Sequence, residues 1–556
     1  MSKILTIIFS FLFLISLNAQ DVFQRDTAIN TQQYEPAGFG GVVAGVDWDE
    51  DGKPDLYACN TNFIDTRPGE LVPRIYKFEW NETTATWDSV WGATISGQAQ
   101  NTWIGFVPAD LDKDGKPEIV WMPSNFPDPS DVDPSLVNLN PLRVIVFEVV
   151  GDGSDNLGVD DGFGAFLPNA STAIVDNDTT NLRPISPKIL DIDSDGTDEI
   201  IFADQAAGSS GGGYHFGVVS VDGIPDNGDG SETWTFEANG LNDPNLTRSN
   251  KWDLAVVDST LYLFDNNGGI SAVQYAGGTY TAGPLDTVSA GWNGSFKGSV
   301  TTDLNNDGTD EIIIGSWYSN KVYVLEIGED TLITYEVAEL TDAGRLTGAG
   351  GGDLDADGNP DFVFGTRGSP ASVPNCALFR VEFQGGDISS PANYTWSIID
   401  SLLVPAPGGT GGELDVVHIA NVDGDEADEV IYTQGYSRGV ANDTVGAVAV
   451  LDMEHTPVSV ELADDNIPDE YYLNQNYPNP FNPSTTIKFG ITSEMVVELK
   501  VFDALGQEVI SLIPGQLMKA GSYNVTFNAS NLASGTYIYK LKAGSNELSK
   551  KMMLIK

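Results

Sequence analysis

Apolar residues along this chain fall in short runs, not in helical stripes. IYKFEW from Ile75, VIVFEVV from Val144, VYVLEI from Val322 and LFRVEF from Leu378 are rich in β-branched and aromatic residues. Runs of this length, bounded by Gly, Pro, Asn and Asp, predict strands. Each follows another run of the same kind, such as EIIIGSW from Glu311 or EVIYTQG from Glu429. No 3.6-residue period runs through residues 21–455, so this region is expected to be all-β, with many short strands and tight turns.

The polar positions between the runs repeat. An apolar strand leads into D-x-D-x-D-G-x-x-D/E, and a second apolar strand follows. The copies are DWDEDGKPD from Asp47, DLDKDGKPE from Asp110, DIDSDGTDE from Asp191, DLNNDGTDE from Asp303 and DLDADGNPD from Asp353, with NVDGDEADE from Asn421 as a sixth. Their starts differ by 63, 81, 112, 50 and 68 residues. The 112-residue interval is nearly two units, and SNKWDLAVVDSTLYLFDNN from Ser249 has the two-strand look without the acidic loop. That makes seven units over residues 21–455, about 62 residues each, which suits four-stranded blades set radially. A ring also leaves few exposed sheet edges. The expected fold is a seven-bladed β-propeller.

The acidic loops carry the chemistry. Calcium takes six to eight oxygens at about 2.3–2.6 Å. Carboxylates at loop positions 1, 3 and 5 converge because the chain turns sharply, and glycine at position 6 admits the positive φ of that turn. An acid at position 9 then closes the shell. The candidate ligands are Asp47, Asp49, Asp51 and Asp55; Asp110, Asp112, Asp114 and Glu118; Asp191, Asp193, Asp195 and Glu199; Asp303, Asn305, Asp307 and Glu311; Asp353, Asp355, Asp357 and Asp361; and Asn421, Asp423, Asp425 and Glu429. In the sixth loop Asn421 removes a charge and Glu426 stands where the others have glycine, so five to six calcium sites are expected. These repeats resemble the FG-GAP/VCBS repeats of integrin-α-type β-propellers. That resemblance implies calcium held in loops between blade strands.

Charge sharpens the picture. The formal net charge is −53, yet residues 474–556 hold 8 Lys against 5 acids, a net of +3, leaving −56 on the rest. Such a body repels nucleic acid and anionic membranes and needs cations. Lys3 followed by the apolar run Ile4–Leu17 and a cleavage point near Asn18-Ala19-Gln20 reads as a signal peptide over residues 1–20. No later stretch is apolar enough to span a bilayer. With only Cys59 and Cys376, no disulfide framework is visible.

Residues 456–471 include the acidic stretch ELADDNIPDE and read as a linker. From 472 to 556 alternating strands, with turn signals at Asp503–Gly506, Pro514-Gly515 and Ser534-Gly535, predict a small Ig-like antiparallel sandwich. NYPNPFNPSTTI from Asn476, VFDALGQEV from Val501, LASGTY from Leu532 and the terminal KKMMLIK resemble the type A C-terminal sorting domain of the type IX secretion system. This implies Sec export, type IX machinery as a partner, and a final place on, or released from, the outer surface of a Gram-negative cell.

Catalytic signals are sparse. His215, His418 and His455 are isolated, and Gly208–Gly212 satisfies G-x-S-x-G only inside a Gly/Ser-rich loop. Trp103, Trp252 and Trp292 suit packing between blades better than a sugar-stacking face. Inserts from Gly151, Ala206 and Ile224 are the expected places for partner contact. The expected function is a non-catalytic adhesion or binding protein for a glycan or protein ligand. The alternative is a polysaccharide-active enzyme on the same scaffold.

Overall fold

A computed structural model describes residues 23–29, 39–49, 51–60, 72–81, 86–96, 105–123, 141–174, 182–205, 214–240, 243–246, 249–265, 268–283, 286–288, 294–328, 331–341, 343–367, 375–403, 414, 417–422, 427–433, 448–453, 460–464, 468, 470–493, 495–502, 508–529, 534–544 and 546–555. Two compact units divide the chain, Phe23–Asp452 and one containing Met453–Lys556. Among the described residues the secondary structure is strand throughout, apart from one 3₁₀ turn at Pro391–Asn393. The signal-peptide residues lie outside the described set.

Among the described residues the larger unit contains seven sheets built on four neighbouring strands, besides the two-stranded pair Val159–Asp160 and Phe166–Leu167. Sheet one runs Phe39–Val46, Asp55–Asn60, Arg74–Asn81 and Thr86–Thr94. The first strands of sheets two to seven are Phe106–Ala109, Pro184–Leu190, Lys251–Val257, Ser299–Thr302, Arg345–Gly352 and Val417–Ala420. Sheet five gains a fifth strand, Asp286–Val288, parallel to Thr331–Glu339. Sheet seven is completed from the other end of the unit, because Phe23–Ile29 lies beside Val448–Met453.

Burial explains the run pattern. The second strands Asp55–Asn60, Glu199–Asp204 and Glu311–Gly315 are buried along their whole length, whereas the outer strand Thr86–Thr94 alternates. Their side chains fill a separate apolar cluster between each pair of consecutive sheets. Tyr57, Trp91, Trp121 and Phe147 join sheets one and two. Val120, Val146, Ile200 and Phe202 join two and three, and Ile201, Val218, Leu254 and Leu263 join three and four. Tyr262, Phe264, Ile312 and Tyr323 follow, then Ile313, Val324, Phe362 and Phe379, then Val363, Leu378, Val430 and Tyr432. Phe39, Phe78, Ile431 and Val450 join sheet seven back to sheet one. First strands touch in the same order, with Phe39–Val46 against both Phe106–Ala109 and Val417–Ala420. Each fully buried Val, Leu, Ile or Phe contributes about 1.5–3 kcal/mol, so every sheet is held by two clusters.

Sheet four has the strands without the acidic loop. Val257 pairs with Thr260, leaving only Asp258 and Ser259 to make the turn.

The second unit stacks two four-stranded antiparallel sheets around one core that includes Ile487, Phe489, Leu499, Val525, Tyr539 and Met552. Two expectations change here. The expected linker contains a strand, Val460–Asp464, paired antiparallel with Gly521–Asn528 at that sheet's edge. Pro514-Gly515 is not a turn but a bulge inside Glu508–Met518, where Val497 faces Gln516 and Glu498 faces Pro514. A bulge tolerates proline because the ladder is locally broken there.

Candidate metal centres

Each acidic loop joins the end of a first strand to the start of a second, and the first five share one backbone path. The position-6 glycines Gly52, Gly115, Gly196, Gly308 and Gly358 have φ between 84° and 99°. Position 4 is also left-handed at Lys113, Ser194, Asn306 and Ala356, which the sequence pattern did not reveal because no glycine marks it. Position 1 grips the turn from both carboxylate oxygens. In the third loop Asp195 N–H donates to Asp191 Oδ1 at 3.0 Å and Gly196 N–H to Oδ2 at 3.0 Å. Asp47, Asp303 and Asp353 repeat this within 0.1 Å.

The position-9 acid has two distinct oxygens. One always accepts the N–H of position 2: Trp48 to Asp55 (3.4 Å), Leu111 to Glu118 (2.8 Å), Ile192 to Glu199 (2.9 Å), Leu304 to Glu311 (2.9 Å), Leu354 to Asp361 (2.8 Å) and Val422 to Glu429 (2.6 Å). The other faces the acidic cluster, and there the loops diverge. In the first loop Asp55 Oδ1 lies 3.0 Å from Lys77 Nζ, which also meets Asp49 Oδ2 at 2.8 Å and Glu79 Oε1 and Asp155 Oδ1 at 3.0 Å. In the fifth, Arg380 Nε donates to Asp361 Oδ1 and its Nη2 to Asp355 Oδ2, both at 2.5 Å. In the fourth, Asn305 Nδ2 donates to Glu311 Oε1 at 2.8 Å. Glu118 Oε1 and Glu199 Oε1 have no hydrogen-bond partner among the described residues, although both side chains are 0% exposed.

Carboxylates converge in both open loops, as they do in the first, where Asp47, Asp49 and Asp51, and Asp49, Glu79 and Asp155, bring oxygens within 4.8 Å of one another around Lys77. One oxygen from each of Asp191, Asp193, Asp195 and Glu199 lies within 4.8 Å of the others. The same holds for Asp110, Asp112 and Glu118, and for Asp112, Asp114 and Glu148. Two carboxylates at that spacing repel by about 3.5 kcal/mol at an effective dielectric of 20. Burial therefore pushes Glu118 up to about 9 and Glu199 up to about 8. Asp55 and Asp361, equally buried, are pushed only to about 6 and about 7, because Lys77 and Arg380 oppose the desolvation. Burying an orphan carboxylate is costly, so the second and third loops suit a hard cation. Asp110, Asp112, Asp114 and Glu118, and Asp191, Asp193, Asp195 and Glu199, would hold it.

Several expected residues fall elsewhere. Asp423 and Asp425, His455, Trp103, Trp292 and the Gly208–Gly212 loop lie outside the described residues, as does the Cys376 side chain. Cys59 and His215 are buried, and His418 Nε2 sits 3.2 Å from Ala44 O. Trp252 stacks in a cluster with Phe296 and Trp317, ring centroids 4.4 and 6.4 Å away. The inserts reach the acid loops: Asp155 joins Lys77, Asp226 pairs with Lys116, and Ile224 N–H donates to Asp112 Oδ2 at 3.2 Å. Sequence spacing could not show this, since Asp112 and Ile224 are 112 residues apart.

Comparison with known families decides the rest. Residues 47–121, the first two acid loops and the strands around them, match the FG-GAP-like repeat, and residues 475–556 match the secretion system C-terminal sorting domain. The chain carries an FG-GAP-like repeat over residues 47–121 and a type IX sorting tail over residues 475–556. A chain with this sorting tail is secreted, reaches the outer cell surface, and engages the secretion machinery on its way. No helix among its described residues is long and apolar enough to cross a membrane. No curated protein matches it by sequence. Among solved structures it resembles Sqt1 of Saccharomyces cerevisiae (7% identity, TM-score 0.38, covering 91% of this chain and 99% of that one). It also resembles an exo-β-1,3-galactanase of Phanerochaete chrysosporium (11% identity, TM-score 0.27, covering 66% and 95%).

Proposed function

We propose that the protein is a calcium-loaded seven-bladed β-propeller that serves as a non-catalytic adhesion or ligand-binding protein, exported behind a signal peptide. Its ligand is a glycan or another protein. The observation that carries the reading is the buried, unpartnered oxygen of Glu118 and Glu199 facing a ring of further carboxylates in loops that repeat from sheet to sheet. Seven sheets joined by seven apolar clusters, with sheet seven packed on sheet one, support the propeller. When bound, calcium supplies the positive charge that lets these carboxylates stay ionised side by side. The loop residues do the rest: position 1 fixes the turn and position 9 staples it to the strand that follows.

A contact surface suited to a ligand lies at the opposite end of sheets four to six from the acid loops. There the Arg345 guanidinium stands 5.1 Å from the Trp317 ring centroid and 5.6 Å from that of Tyr318, and Tyr318 is half exposed. Exposed aromatic faces beside a cation stack on sugar rings and on planar side chains. The test is a glycan array probed with the secreted chain in calcium, with product analysis of every hit. Binding without turnover, weakened by Arg345→Ala, is the expected result. Released product would overturn the non-catalytic reading.

A further inference from the structure

The six acid loops divide by what stands two residues beyond position 9 across the sheet. The partner of that residue on the third strand is Lys77 opposite Tyr57 in the first unit and Arg380 opposite Val363 in the fifth loop's unit. In the other four it is valine: Val146 opposite Val120, Val218 opposite Ile201, Val324 opposite Ile313 and Val450 opposite Ile431. Position 9 changes in step. It is aspartate, Asp55 and Asp361, where the partner is basic, and glutamate, Glu118, Glu199, Glu311 and Glu429, where the partner is valine.

The geometry gives the reason. Lys77 is 1% exposed and its ammonium sits between the position-3 and position-9 carboxylates, with Glu79 and Asp155 on its other sides. Arg380 is 2% exposed and its guanidinium spans the same two loop positions, Asp355 and Asp361, as a fork. An aspartate is one methylene shorter than a glutamate and leaves room for that cation. A valine cannot supply charge, and the longer glutamate then carries an oxygen into the cluster with nothing to meet it, as Glu118 and Glu199 do. A buried cation held by several carboxylates is stable where it is and costly to expel.

Taking calcium as the ion of the acid loops, as proposed, we infer that the first and fifth loops carry their own cation in Lys77 and Arg380 and take no calcium, whereas loops closed by glutamate opposite valine take the ion. The calcium count is then at most four, not six. Two loops of the circuit keep their shape when calcium is scarce, and the others loosen.

Equilibrium dialysis of the full exported chain against radioactive calcium tests this. Asp191→Asn with Asp195→Asn removes one bound ion per chain, while Asp47→Asn with Asp51→Asn removes none. The paired change Lys77→Val with Asp55→Glu converts the first loop and adds one ion. Near-UV circular dichroism confirms that each variant keeps native packing, since asparagine retains only one of the two acceptor oxygens that position 1 offers the turn. Loss of an ion on changing Asp47 and Asp51 overturns the inference, as does a natively packed Lys77→Val, Asp55→Glu protein that gains none. If neither asparagine pair changes the count because the wild-type chain binds no calcium, the calcium reading itself falls.

Discussion

Glu118 and Glu199 are the most strongly raised of several buried acids, among them Glu148 and Asp361, that tie the stability of the metal-free protein to pH. An unfolded glutamate releases its proton near 4.5, whereas in the fold Glu118 and Glu199 hold theirs to about 9 and about 8. Burial is the main cause. Asp110, Asp112 and Glu148 face Glu118, and Asp193, Asp195 and Glu237 face Glu199, each adding like charge. Between those limits the folded chain binds more protons than the unfolded one, so stability falls as pH rises. Urea unfolding of the metal-stripped chain is expected to lose midpoint steadily from pH 5 to pH 9, and Glu118→Gln with Glu199→Gln to flatten that slope. A slope of opposite sign, or one unchanged in the double variant, would remove these two groups from the account. At this scale the turns of the first five loops were legible, because acids at alternating positions and a glycine at a sharp turn are marks of local chemistry alone. Lys77 and Arg380 were not, because only the register of the third strand brings them to Asp55 and Asp361.

At the scale of elements, the junction between sheets seven and one depends on a glycine. Gly45 is the extra residue of a bulge in Phe39–Val46, at φ 81°, and a Cβ there would lie 2.5 Å from the Ala420 Cβ and 3.0 Å from Asn421 O. Neither neighbour is a flexible side-chain end. Gly45→Ala is therefore expected to cost about 2–3 kcal/mol through strain and overpacking, read as a lower urea midpoint at unchanged m-value; a loss under 0.5 kcal/mol would show that the junction gives way freely. The strands were readable from their apolar runs, since a strand buried on both faces needs nothing else. Less readable were elements whose place is decided by a distant partner. Phe23–Ile29 completes a sheet formed some 400 residues later, Val460–Asp464 extends the edge of Gly521–Asn528, and Pro514-Gly515 lies in a bulge although the pair reads as a turn.

For the whole molecule, export and the proposed ligand binding belong to different units. Phe23–Asp452 and Met453–Lys556 each have their own core, so removal of residues 453–556 is expected to leave a folded chain in the periplasm instead of at the surface. Cell fractionation with limited proteolysis reads both outcomes, and a surface-exposed truncated chain would contradict the role given to the tail. The central claim, that calcium stiffens the acid loops of the larger unit, predicts a stabilisation of about 1.4 kcal/mol per site at tenfold excess over a dissociation constant of about 10⁻⁴ M. Thermal unfolding of the mature chain at neutral pH, in 1 mM calcium and in excess chelator, measures it most directly. The melting curve is expected to move up by several degrees with calcium; superimposed curves would contradict the account.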